Sequence, residues 1–156
     1  MQLPTWEEEK KFYLRGFKLI AGVDEAGRGP LAGPIVAAAV ILPFGTQIDG
    51  LNDSKLLSEK QREALYKIIR KIALAVKVVQ VSHKVIDQIN IGQANRLVMA
   101  QAVAALQINP HFVLIDGRRM NLDLSLPQLS IIGGDRKSVS IAAASVIAKV
   151  TRDRLM

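Results

Sequence analysis

The chain has 156 residues, 49% of them hydrophobic, with no cysteine and a formal net charge of +7. That length suits one domain around one core. The missing thiols exclude disulfides and thiolate-held metals, and the basic balance favours a polyanionic partner, nucleic acid before membrane surface.

Pro4-Thr5 followed by WEEEKKFYL predicts a short helix that ends before Gly16. This acid-rich opening is unlike a signal peptide. KLIAGVD, residues 18–24, predicts a strand that runs into a glycine-rich turn. IVAAAVIL, residues 35–42, is a continuous apolar run of strand length, as expected for a strand covered on both faces. It is the longest apolar run and falls far short of the ~20 residues that a membrane span needs, so a soluble cytoplasmic protein is expected.

Ser58 followed three residues later by Gln61 is a capping-box pattern. Behind it Leu65, Ile68, Ile69, Ile72 and Ala73 recur at helical spacing, which predicts a helix over 59–73. ALAVKVVQV is strand-like. A second helix carries Ala94, Leu97, Val98, Ala102, Ala105 and Leu106 on one face and is halted by Asn109-Pro110. FVLID, residues 112–116, and LSII, residues 129–132, are short strands, and SVSIAAASVIAKVTRD closes the chain as a long helix. This mixture predicts one α/β layered domain over residues 1–156, with a sheet between helices.

Four acids fall where predicted strands end or helices begin: Asp24, Glu25, Asp116 and Asp135. Loops at strand ends are where open α/β sheets gather their chemistry. Each acid also has a plain structural explanation. Asp116-Gly117 suits a hairpin turn, Asp135 suits a helix N-cap, and Asp24-Glu25 suits a solvated turn. Together, in a basic chain, they suit a site for hard divalent ions that meet a phosphate backbone. Two such ions ~4 Å apart activate a water and stabilise the leaving oxygen of a phosphodiester. Adjacent strand residues point to opposite faces, so Asp24 and Glu25 share one site only if the strand ends between them.

Gly27-Arg28-Gly29-Pro30-Leu31-Ala32 formally matches the dinucleotide fingerprint G-x-G-x-x-G/A. That motif needs a helix to begin there, whereas Pro30, Gly33 and Pro34 crowd the place and a strand follows. No nucleotide cofactor is expected. The glycines instead offer a backbone that a ligand can approach closely, with Arg28 as a phosphate donor.

GVDEAGRGPLAGP, DSK at 53–55, IDQINIGQA at 86–94, LIDG and GDRKSVSIAAASVIAKVTRD closely resemble bacterial ribonuclease HII, from about residue 18 to residue 156. The resemblance implies a ribonuclease H-like fold with a five-stranded mixed sheet. It implies Mg²⁺- or Mn²⁺-dependent endonucleolytic cleavage of RNA within RNA–DNA hybrids, and incision 5′ of single ribonucleotides in duplex DNA. Two-ion chemistry would leave 3′-hydroxyl and 5′-phosphate ends.

By motif, the family's metal-binding acids fall on Asp24, Glu25, Asp116 and Asp135, and its ribose-inspecting element falls on Gly27, Arg28 and Gly29. Only the 2′-hydroxyl distinguishes RNA from DNA at such a site. Asp53-Ser54-Lys55 matches a segment near the nucleic-acid backbone, with Ser54 and Lys55 as contacts and Asp53 read as part of a polar loop. In the last helix Ser138, Ala142, Ser145, Lys149 and Arg152 form one stripe. It suits phosphate contacts, Ser145 and Lys149 among them, and equally a solvated face.

Two departures stand out. Gly133 occupies a position where the family commonly has lysine. Family members also continue beyond Met156 into a helical part that bears a tyrosine, so the resemblance implies a truncated member, expected to be monomeric. A second expectation is a hybrid-binding domain with little catalysis.

Overall fold

The computed structural model describes residues 2–27 and 33–156. In chain order the elements are α1 (Glu7–Tyr13), β1 (Ile20–Ala26), β2 (Ile35–Ile41), α2 (Glu59–Ile72), β3 (Ala75–Val81), α3 (His83–Ile89), α4 (Ile91–Ala104), β4 (Phe112–Asp116), β5 (Gln128–Ile131) and α5 (Val139–Leu155). Short 3₁₀ turns precede α2, at Ser54–Leu56, and α5, at Gly134–Arg136.

The five strands form one mixed sheet in the order β3-β2-β1-β4-β5. β1, β2 and β3 form an antiparallel meander, and β4 and β5 continue the sheet parallel to β1. This is the expected fold, with a ribonuclease H-like strand arrangement. Because side chains alternate along a strand, β2 is buried on both faces. Ile35, Ala37, Ala39 and Ile41 face α4, whereas Ala38 and Val40 face α2 and α5. Each fully buried isoleucine or leucine in these layers contributes about 1.5–3 kcal/mol through area removed from water.

Most predicted elements are present, with informative shifts. β1 runs on through Glu25 to Ala26 because β2 pairs with it that far, Ala26 opposite Val36. The capping box at Ser58 is formed in both directions, by Gln61 N–H to Ser58 Oγ and Ser58 N–H to Gln61 Oε1. Ile68 nevertheless points outward. In α4 the buried face is Ala94, Val98, Met99, Ala102 and Val103, while Leu97 and Ala105 are exposed. Sequence spacing alone does not predict α3; it is short, and Asn90, at φ 78°, separates it from α4 while its side chain caps Gln93 N–H.

Three contacts fix α5. Gly22 on β1 faces it so closely that a Cβ there would lie 2.3 Å from the Ser140 carbonyl carbon. At the start of the helix, Glu9 from α1 is fully buried. Its Oε2 accepts from Ser138 Oγ at 2.8 Å and from Ser140 N–H at 2.9 Å. Beside it, Thr5 and Ser138 form an isolated parallel bridge. Burial raises the Glu9 carboxyl above its ordinary value, and the hydrogen bonds from Ser140 and Ser138 oppose that only in part.

Gly22→Ala must push α5 off the sheet, since backbone cannot yield as a side-chain tip does. Its expected cost is about 3 kcal/mol, read by urea denaturation. Glu9 gives a pH signature. With its folded value raised, its stabilising contribution is complete below the unfolded value near 4.5 and is lost as pH rises through the folded value. Glu9→Gln keeps an acceptor for both bonds and removes that titration. Relative to wild type it should therefore gain stability as pH rises above 4.5; an offset independent of pH would contradict the shift.

Candidate metal and nucleic-acid site

β1 and β4 are parallel neighbours with Val23 opposite Ile115, so Asp24 and Asp116 follow at the same level on adjacent strands. Both lie on the side of the sheet covered by α5, the side to which Gly22 and Leu114 also turn. Asp135 arrives from the 3₁₀ turn that leads into α5. Its backbone N–H donates to Asp116 Oδ1 at 3.3 Å. One carboxylate oxygen from each of Asp24, Asp116 and Asp135 lies within 4.8 Å of the others.

The plain readings of these acids give way. Asp116-Gly117 does not close a hairpin, because β4 and β5 are parallel. The N-cap of α5 is Ser138, whose Oγ accepts from Ile141 N–H at 3.1 Å, and not Asp135. Asp24 is buried, so it is no solvated turn residue. Glu25 differs from the other three. The strand does not end between Asp24 and Glu25, and Glu25 lines the cleft without belonging to the close set.

The electrostatics follow from burial and like charge. Two unit charges ~5 Å apart repel by about 3 kcal/mol at an effective dielectric of ~20. Burial, then Glu25, Asp116 and Asp135, hold the Asp24 carboxyl well above the usual range. Asp135 is pushed up to about 7 by burial, then by Asp116 and Asp53, with Lys55 pulling it down. Lys55 itself is raised: burial works against its charge, but Asp135, Asp53, Asp24 and Asp116 outweigh it. One lysine does not neutralise this set. Clustered, buried, oxygen-only donors fit a hard divalent cation such as Mg²⁺ or Mn²⁺, and Asp24, Asp116 and Asp135 are the residues that could hold it.

The acids sit in a cleft of about 260 Å³. Of the residues expected to contact nucleic acid, Gly27, Ser54, Lys55, Ser145 and Lys149 line it; Arg28 and Gly29 lie outside the described residues. Ser54 Oγ and Ser145 Oγ are 2.8 Å apart, tying the 59–72 helix's approach to α5. Lys149 Nζ bonds Asp153 Oδ1 at 2.9 Å while staying at the rim. The α5 stripe is therefore not a solvated face. Ser138 and Ala142 are fully buried, Ser145 and Lys149 meet the cleft, and Arg152 turns inward.

Asp53 is the residue that sequence reasoning undervalued. It is buried, accepts from Lys55 N–H at 3.0 Å, and its carboxyl helps to raise that of Asp135. Its one signal was the position directly before Ser54-Lys55 and a capped helix.

The family profile described as Ribonuclease HII matches residues 21–156. Ribonuclease HII of Listeria monocytogenes serotype 4a (strain HCC23) is 58% identical over 148 residues, which are 95% of this chain and 56% of that protein. Ribonuclease HII of Geobacter sulfurreducens is 53% identical over 155 residues, 99% of this chain and 71% of that one. The crystal structure of ribonuclease H2 from Pyrococcus horikoshii OT3 superposes with a TM-score of 0.77 at 31% identity, over 87% of this chain and 72% of that chain. The chain thus spans little more than half the length of several curated relatives that it matches. With the profile covering the sheet, the acids and α5 alike, this chain belongs to the ribonuclease HII family.

Proposed function

We propose that this chain is a catalytic domain that hydrolyses RNA phosphodiesters in RNA–DNA hybrids and incises duplex DNA 5′ of single ribonucleotides, leaving 3′-hydroxyl and 5′-phosphate ends. The observation that carries the reading is the close set of Asp24, Asp116 and Asp135 inside a lysine-rimmed cleft, in a chain of this family. Two bound Mg²⁺ or Mn²⁺ ions would supply an activated water and charge neutralisation at the leaving oxygen.

The chain's own residues divide the remaining work. Asp24, Asp116 and Asp135 hold fixed oxygen donors, and the sheet and the Asp135 N–H to Asp116 bond keep them from relaxing apart. Glu25 adds negative charge at the cleft wall. Lys55 and Lys149 draw phosphates to the rim, and Ser54 and Ser145 offer hydroxyls to the backbone between them. Gly27, bare of side chain, lets the ribose approach main chain, and Arg28 and Gly29 continue that element. Backbone amides and carbonyls can pair with a 2′-hydroxyl that DNA lacks. No helix among the described residues is long and apolar enough to cross a membrane.

Incubation with a DNA duplex containing one ribonucleotide, in Mg²⁺ or Mn²⁺, should yield a single incision on its 5′ side. Binding without incision in either ion would leave a hybrid-binding domain instead. Asp135→Asn should lower incision at least a hundredfold at unchanged or raised stability, because it removes a buried like charge. Retained activity in that variant would remove Asp135 from the site.

A further inference from the structure

Arg152 lies near the end of α5 and takes no part in the cleft's lining. It is a cation turned inward, 7% exposed. Among the described residues no carboxylate lies within 4.0 Å of its guanidinium. Its Nε donates to the Pro34 carbonyl at 3.0 Å, and its Nη2 is buried without a hydrogen-bond partner. Burying a charge is unfavourable unless it is paired, so filling space does not account for an arginine here. A leucine or methionine would do that without the cost.

What the guanidinium touches gives the reason. A Cβ on Gly27 would sit 2.3 Å from Arg152 Nε and 2.5 Å from the Pro34 carbonyl oxygen. Gly27, at φ 97°, therefore lies directly against the bond that joins them. A Cβ on Gly33 would lie 3.2 Å from Arg152 Nη2. The last ladder pair of β1 and β2 is Ala26 with Val36; beyond it, among the described residues, Arg152 bonds the Pro34 carbonyl and lies against Gly27. Gly27 also lines the carboxylate cleft three residues after Asp24.

We infer that Arg152 is a positioning residue: it clamps Gly27 against Pro34 and so sets where the cleft-wall backbone meets the substrate sugar. This rests on the endonuclease reading for its consequence, and on geometry alone for the clamp. Arg152 touches no substrate; it acts through Gly27.

The test separates the two. Hydrogen–deuterium exchange is followed in a peptide spanning 25–36 for wild type, Arg152→Met and Arg152→Lys, with Arg154→Met as a control on an exposed arginine that pairs with Glu63. Arg152→Met should speed exchange there at least tenfold while peptides from α2 and β3 stay unchanged. Arg152→Lys, which keeps the charge and a donor, should show a smaller rise in the same peptide and serves if the methionine variant does not fold. Wild-type exchange in both variants, or acceleration spread evenly over the chain, overturns the clamp.

Incision is then compared on duplexes that differ only in a 2′-hydroxyl or a 2′-fluorine at one nucleotide. The ratio of kcat/KM for hydroxyl over fluorine should fall at least tenfold in Arg152→Met, whereas a merely structural loss lowers both values alike and overturns the role in sugar recognition. A wild-type chain that incises neither duplex rejects the endonuclease reading, and the exchange data still decide the clamp.

Discussion

A helix can rest backbone to backbone on a strand only where the strand offers no side chain, and Gly22 makes that contact beneath Ser140. The rest of the molecule depends on it. With α5 this low on the sheet, the turn before it delivers Asp135 to the ends of β1 and β4. The fully buried Ala142, Ala143 and Ala144 keep the helix close along the next turn, and Glu9 and Thr5 hold its first turn from the other side. A bulkier residue at position 22 would leave each acid intact and the site dismantled.

The same closeness sets an energetic tension. Bringing Asp24, Asp116 and Asp135 together under partial burial opposes folding, as the raised carboxyls of Asp24 and Asp135 record. The two-sided burial of β2 and the alanine-rich interface of α5 supply the opposing term, which is large and diffuse where the repulsion is small and local. The geometry of the acids is thus imposed by packing elsewhere, as preorganised sites require.

Much of this was legible in the chain because it is local. The capping box at Ser58, the apolar run of β2 and the acids at strand ends are patterns within a few residues. The unreadable parts are those that depend on distant partners. That β1 pairs with both β2 and β4 fixes Asp24 beside Asp116, and no window of sequence contains that pairing. Glu9 sits in a run of three acids followed by lysines, with nothing local to mark it for the interior, yet it is fully buried against the start of α5. Arg152 falls on the same helical stripe as Lys149 but turns the other way, toward Pro34. Leu97 of α4 is exposed although it falls at core spacing, because spacing alone does not say which of two adjacent stripes meets the sheet.

The acids come from segments as far apart as residues 24 and 135, and they are neighbours only in the assembled sheet-and-helix layer. In the unfolded chain no oxygen cage exists. An ion that binds the assembled set binds the folded state selectively, so by mass action it adds about 2.7 kcal/mol to folding when present at about a hundred times its dissociation constant. For an ion so bound, its ambient concentration would be a thermodynamic variable of the whole fold, setting the fraction of chains that are folded.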